Sequence, residues 1–394
     1  MKTIIISFYF PPCTDGAATL MYNLCKYLPK ECYIVATASE ELGKYVWNGL
    51  GVYDPKFNID CRTIRVPVKT NSTRDRIKFM LTTVLEGMLF SSRSEIDSIM
   101  AVYPDEFDLF AGYIMHLLTR KPLVLYMHDL YSEMRTNSRL YRLWRSIENR
   151  IFLAASTILV TNEKFKEHYL EREINNVIVF QSCVDFDSQN NIRSESPRSR
   201  TRKLRIVYTG SVYGANQDAI FAFLKVARKL SDLEIVFSTP HKSGFLKEVS
   251  IGFLPKKECA ELQRSADALF LPLSFKKSLA EETKCAFPCK ILEYMAAGKP
   301  ILAIVPKGSY SEELIKEHNL GLVVTELSDK RIADAINALR NGDKRSCFSR
   351  NALKTVTLFD ARNQSARLRT IMERIVVDRS SNHRRKQRIP SSEP

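Results

Sequence analysis

The sequence predicts an α/β protein built on two parallel sheets. Three observations predict it. Short apolar runs alternate with stretches of helical apolar spacing. A polar stretch at 188–203, rich in Ser, Arg and Asn, has no apolar period and reads as a linker. The alternation then restarts at "LRIVYTGS" (204–211).

In the first half, strand-like runs fall at 3–9, 32–37, 62–66, 108–112, 122–127, 157–161 and 177–181, with helical patterns at 17–28, 75–91, 138–154 and 163–171. The second half predicts a helix at 216–230, strands at 233–238 and 249–253, a helix near 256–265 and a strand at 268–273. A helix opening at Pro288 follows, then strand 301–305, helix 311–318, strand 321–325 and helix 328–340. This gives a Rossmann-like domain over 1–187, the linker, a second over 204–360, a helix at 361–378 crossing back to the first domain, and a basic disordered tail at 379–394.

The 394 residues are 45% apolar and 26% charged, as in a globular chain of two domains. Nine cysteines, odd in number and irregularly spaced, argue for reduced thiols and a cytoplasmic protein. The CxxxC pair Cys285/Cys289 lacks the second pair or histidines of a zinc set. "MKTIIISFYFPP" ends its apolar run at Pro11-Pro12 without a cleavage signature, so it reads as a first strand. No uncharged stretch of about 18 apolar residues occurs, so no membrane span is expected.

Net charge is +15, and residues 1–185 are nearly neutral, with 22 Lys/Arg against 21 Asp/Glu. The excess therefore lies in the second half, partly at 193–205 and 379–388. Nucleic-acid modules are not visible beside these runs, so no nucleic-acid partner is expected. The runs read either as solvated segments or as a fringe attracted to an anionic membrane surface. Residues 74–91 set Ile77, Met80, Leu81, Val84, Leu85, Met88 and Leu89 on one helical side, suited to a lipid interface or to packing on a sheet. Packing is the favoured reading.

"CAFPCKILEYMAAGKPIL" (285–302) carries the most chemistry. Pro288 suits the first helical position, Ile291, Leu292 and Met295 form a buried stripe, and Gly298 supplies a left-handed cap. Lys290, Glu293 and Tyr294 lie off that stripe beside a helix start whose amides favour an anion. In open parallel sheets, ligands bind at the carboxyl ends of strands. There Gly16, followed by Ala17, Ala18 and Thr19, admits a close ligand, and His128 and Asp129 follow "PLVLYM". Gly210, Ser211 and Gly214 make a turn suited to a diphosphate, and Phe253 ends the strand at 249–253.

Together these stretches resemble the retaining, two-Rossmann (GT-B) glycosyltransferases of family 4, over residues 3 to about 375. Residues Phe287 through Pro300 match the family's Gly-Phe-Gly…Glu-Ala-Met-Ala-x-Gly-Lys-Pro pattern, and "HDLYSE" (128–133) resembles a stretch of its bacterial polysaccharide branches. The resemblance implies two domains facing each other across a cleft, with Glu293 on the ribose hydroxyls of a nucleoside diphosphate sugar. Gly16, Gly210, Ser211, Phe253, Cys285, Phe287 and Pro288 would complete the donor site, and His128, Asp129 and Lys290 would serve catalysis. It implies neither cofactor nor metal, and a glycan or lipid-linked acceptor in surface polysaccharide synthesis. Three departures from the pattern stand out. Cys285 replaces the family's first Glu, Ser211 and Asn216 replace its diphosphate-binding Arg and Lys, and Asp15-Gly16 replaces Gly-Gly. A DxD metal reading of Asp185 and Asp187 competes, as do an inactive binding subunit and a sugar-nucleotide epimerase on the same fold.

Overall fold

The computed structural model describes residues 1–13, 16–38, 57–68, 70, 72–130, 141–186, 203–240 and 244–387. They divide into two units, the first of residues 1–180 and 362–387, the second of 181–361. The linker, apart from Lys203, lies outside the described residues, as do Asp15, Asp187, residues 131–133 and 388–394.

The first unit holds a seven-stranded parallel sheet in the order β3-β2-β1-β4-β5-β6-β7. Its strands are β1 (Thr3–Ile6), β2 (Tyr33–Ala38), β3 (Thr63–Val66), β4 (Ser98–Tyr103), β5 (Leu123–Met127), β6 (Thr157–Val160) and β7 (Val177–Val179). Its first helices are α1 (Gly16–Cys25), α2 (Thr73–Ser92), α3 (Glu106–Thr119), α4 (Tyr141–Ala154) and α5 (Glu163–Leu170). Central strands are covered on both faces, which is why they read as unbroken apolar runs. Ile4 pairs with both Ile34 and Ile99, and all three are buried.

Two expectations are corrected here. The run at 108–112 belongs to α3, and the strand is Ser98–Tyr103. Asp105 decides this locally: its carboxylate accepts the Phe107 amide at 3.0 Å and starts a helix. On α2 the packed side is Phe79, Thr83, Val84 and Gly87. A Cβ at Gly87 would fall 2.7 Å from Met115 Sδ, so glycine permits the close approach of α2 to α3. Of the seven apolar residues assigned to the packed side, only Val84 is buried.

The second unit holds six parallel strands ordered β10-β9-β8-β11-β12-β13. These are β8 (Leu204–Thr209), β9 (Leu233–Ser238), β10 (Ser250–Gly252), β11 (Ala268–Pro272), β12 (Ile301–Ile304) and β13 (Gly321–Val324). Its helices are α6 (Gln217–Ala227), α7 (Lys256–Ser265), α8 (Ala280–Cys285), α9 (Cys289–Ala296), α10 (Tyr310–Glu317), α11 (Asp329–Ala338) and α12 (Gly342–Thr355). Strand alternation splits the core in two: Val207, Leu269 and Ile291 on one face, Tyr208, Phe223 and Phe270 on the other.

Finally α13 (Ala361–Gln387) returns to the first unit, where Ser365 Oγ donates to the Leu24 carbonyl at 2.6 Å and Arg367 to that of Val179 at 2.7 Å. Residues 379–387 continue this helix rather than forming part of a disordered tail. Arg, Lys and Gln are good helix formers, and Arg369–Glu373 and Arg374–Asp378 pairs support the preceding turns. In each unit the strand order reverses beside the first strand, between β1 and β4 and between β8 and β11. Those carboxyl edges are where ligands enter such sheets.

Candidate functional site

The carboxyl edge of the second unit is built around the end of β8. Gly210 adopts φ 130°, a backbone that side chains rarely tolerate, and its amide donates to the Ser238 carbonyl at 2.8 Å. Beyond it the chain folds back on itself. Tyr208 Oη donates to the Ser211 carbonyl at 2.5 Å, and Asn216 Nδ2 donates to that carbonyl at 3.1 Å and to Tyr208 Oη at 3.2 Å. Asn216, where the family pattern has a lysine, thus closes the turn.

The cation comes from elsewhere. Lys290, in the first turn of α9, lies over this glycine, and a Cβ at Gly210 would sit 2.7 Å from its Nζ. Its ammonium also lies 5.7 Å from the centre of the Tyr208 ring. Burial works against the charge, but Cys289, Tyr213, Tyr294 and Glu293 outweigh it and raise the Lys290 pKa above the ordinary lysine value. The helix starts one residue later than expected: Pro288 is the N-cap, at φ −58° and ψ 130°, and no side chain caps it. Gly298 takes φ 63° after the last turn, as its sequence position predicts.

Glu293 is held from α7. Gln263 Nε2 donates to Thr209 Oγ1 at 2.9 Å and to Glu293 Oε2 at 3.3 Å, so one buried amide ties the carboxylate to the end of β8. Tyr294, expected off the buried stripe, is instead fully buried, and its hydroxyl donates to the Phe270 carbonyl at 3.2 Å. A second lysine joins the group. Lys256, at the start of α7, is surrounded by Glu293, Cys289, Asp185 and Cys259; burial outweighs them and lowers its pKa. Lys256 and Gln263 were missed in the sequence because neither stands in a motif. Their only signal is a polar residue at the start and on the inner side of a helix that follows a sheet-edge strand.

The remaining donor candidates divide. Phe253, just beyond β10, is 38% exposed. Phe287 is committed to the core, its ring 5.2 Å from Tyr310 and 5.7 Å from Phe359, so its side chain fixes the start of α9 rather than facing a ligand. Cys285, at the end of α8, is buried. Ser211 contributes its carbonyl to the turn. Asp185 is buried near Lys256, and among the described residues no three His, Cys, Asp or Glu side chains are grouped to hold a metal.

In the first unit, His128 and Asp129 directly follow β5. Both ring nitrogens of His128 are buried without a hydrogen-bond partner among the described residues, and the ring stands edge-on to Tyr126 at 4.3 Å. Burial pulls the His128 pKa down to about 3 and pushes that of Asp129 up to about 6. The imidazole is therefore neutral and offers a donor and an acceptor that no described residue meets, which is costly unless a partner is supplied. Gly16 opens α1 and is exposed, while Ala17 and Ala18 behind it pack inward.

Two parallel-sheet Rossmann-like units of this kind define the GT-B fold. The solved structures agree. HepE from Anabaena, in complex with UDP and glucose, superposes with a TM-score of 0.69 at 15% identity, covering 95% of this chain and 99% of that one. Sucrose-phosphate synthase from Thermosynechococcus elongatus gives 0.69 at 14% identity over 96% and 100%. MnaA from S. aureus, in a structure with UDP, gives 0.56 at 15% over 93% and 95%. In sequence, residues 14–188 match the model of Glycosyltransferase Family 4 and residues 248–355 that of Glycosyl transferases group 1. No curated protein matches the chain in sequence.

Proposed function

We propose that this protein transfers a sugar from a nucleoside diphosphate sugar to a glycan or lipid-linked acceptor, with retention at the anomeric carbon, in surface polysaccharide synthesis at an anionic membrane face. The observation that carries the donor site is the set Gly210, Lys290, Gln263 and Glu293 at one sheet edge, the last three within the stretch that matches the group 1 glycosyltransferase model. Glu293 keeps one oxygen on Gln263 and accepts from the vicinal hydroxyls of the ribose. Lys290 and the uncapped start of α9 meet the diphosphate, whose negative charge grows as the bond to the sugar breaks. The tight turn at Gly210 lets the backbone approach the phosphates. Lys290 then serves where Ser211 and Asn216 bring no charge. On the first unit, neutral His128 contacts the transferred sugar, and Asp129 beside it orients the reacting groups.

Incubating the purified chain with UDP-, GDP- and dTDP-sugars tests this reading. One donor should raise the melting temperature, by about 2.7 kcal/mol of stability at 100 times its Kd. With acceptor it should yield free nucleoside diphosphate and a product whose anomeric configuration matches the donor. An altered sugar nucleotide with no free diphosphate would identify an epimerase instead. Donor binding without turnover would identify a binding subunit.

A further inference from the structure

We propose that the outer face of α2, α3 and α4 is a docking surface for an anionic lipid leaflet. On α2, the residues opposite the packed side form an apolar row: Ile77, Leu81, Leu85, Met88 and Leu89, with Leu81 53%, Leu85 64% and Leu89 52% exposed. The row occupies most of a helix about 30 Å long. The neighbouring α3 adds Leu117 and Leu118, both more than half exposed. Monomeric proteins seldom leave so continuous an apolar row in water.

Charge selects the occupant. The exposed charged residues on these three helices and their C-caps are Arg74, Lys78, Arg93, Arg120, Arg142 and Arg150, all cations. Four of the five acidic residues there are turned to other uses, Glu106 lying 3.7 Å from Arg76, and the fifth, Glu86 on α2, is half-buried. Asp75 accepts from the Thr70 amide at 2.8 Å, Glu148 is buried against Arg172, and Asp108 accepts from the Phe8 amide at 2.9 Å. A second copy of this face would set cations against cations, which disfavours self-pairing. Nucleic acid would leave the leucines in water. A leaflet with phosphate headgroups satisfies both, since acyl chains receive the apolar row and headgroups receive the cations. A groove of about 390 Å³ on α4 strengthens the fit. Arg142, Arg145, Asn149, Arg150 and Ser146 surround Leu153 there, setting guanidinium, amide and hydroxyl donors around an apolar centre, as a phosphate headgroup requires.

This deepens the membrane part of the proposed function and moves the attachment from the basic tail to the helical layer. Its test does not depend on sugar transfer. The intact chain would be sedimented at low salt with vesicles of phosphatidylcholine alone or with about one third phosphatidylglycerol. Binding to the anionic vesicles should be at least tenfold tighter. Leu81→Glu with Leu85→Glu, and separately Arg142→Ser with Arg150→Ser, should each weaken it by about tenfold or more, while deletion of 379–394 leaves most of it. No binding to anionic vesicles, equal binding to neutral ones, an unaffected leucine pair, or loss on tail deletion alone would each overturn the proposal. So would a leucine pair that converts a dimer to a monomer. If that pair unfolds the chain, Leu85→Trp replaces it: emission should shift to the blue and be quenched by brominated lipid, and unchanged emission overturns the idea. Donor-induced thermal shifts, measured in parallel, keep failure of the lipid surface distinct from failure of the transferase reading.

Discussion

Lys290 lies against the glycine turn at Gly210, where a Cβ would fall 2.2 Å from its Cε and 2.7 Å from its Nζ. The two residues come from different elements, and each constrains the other. The lysine can occupy that position because residue 210 has no side chain, and the turn gains there the charge that Ser211 and Asn216 do not supply.

Gly210→Ala should therefore act twice. The added methyl strains a φ of 130°, costing roughly 1–3 kcal/mol, and it displaces the lysine tip. Thermal denaturation should show the first effect. Steady-state kinetics should show a larger fall in kcat than the loss of folded protein explains.

Lys290→Ala should lower kcat more than it raises donor KM, by about tenfold or more, if the ammonium meets charge that develops on the leaving diphosphate. An unchanged kcat would reduce Lys290 to a packing residue. Activity should also survive EDTA, because the proposed counter-charge is covalently part of the chain; loss on chelation with recovery on Mg²⁺ or Mn²⁺ would return attention to Asp185.

Glu293→Ala should weaken donor binding by roughly 1.5–3 kcal/mol, the range for a hydrogen bond to a charged group. Glu293→Gln, retaining one acceptor, should fall between wild type and alanine. Equal donor Kd by calorimetry across the three proteins would refute the ribose role.

Gln263→Met keeps the volume and removes the amide that spans Thr209 and Glu293. Donor affinity should drop by about 1 kcal/mol. The loss should vanish when Glu293 is already alanine, because the two residues act through one contact. Additive losses in the double mutant would mean that Gln263 only supports the fold.

His128 and Asp129 should imprint opposite pH dependences on stability. The His128 pKa falls from 6.5 to about 3 on folding, so its contribution is present above 6.5 and is lost as pH drops toward 3. The Asp129 pKa rises from 3.8 to about 6, so its contribution is present below 3.8 and is lost as pH climbs through 6. Between pH 4 and 6 the two slopes oppose, each at most about 1.4 kcal/mol per pH unit. Asp129→Asn should then make stability fall more steeply on acidification across that window, and His128→Gln should make it fall as pH rises. Urea titrations at pH 4, 5 and 6 would show either slope, and parallel curves for all three proteins would rule out the coupling.

Much of the architecture was written in the sequence. Strands such as Ile301–Ile304 are sealed on both faces, so burial alone demands an unbroken apolar run. The helix bearing Glu293 is bracketed by Pro288 and Gly298, whose backbone limits hold in any context. Those local rules placed Glu293 and Lys290 at the edge of the second sheet and His128 and Asp129 after β5. Where two elements competed for the same composition, as at 98–112, only the cap at Asp105 and the place of Ser98–Tyr103 between β1 and β5 separated strand from helix.

Packing decided the rest. Gln263 meets Glu293 across 30 residues and Lys290 meets Gly210 across elements that share no local pattern, so no spacing rule could pair them. Tyr294 is polar at its tip yet fully buried, because a backbone carbonyl of β11 waits for its hydroxyl. On α2 the helical period allows either face to turn inward, and hydropathy favoured the leucines. The sheet took Phe79, Thr83, Val84 and Gly87 instead, because small residues let α2 approach α3 closely, and the leucines were left facing out. A period fixes which residues share a face; only the neighbouring surface fixes which face is buried.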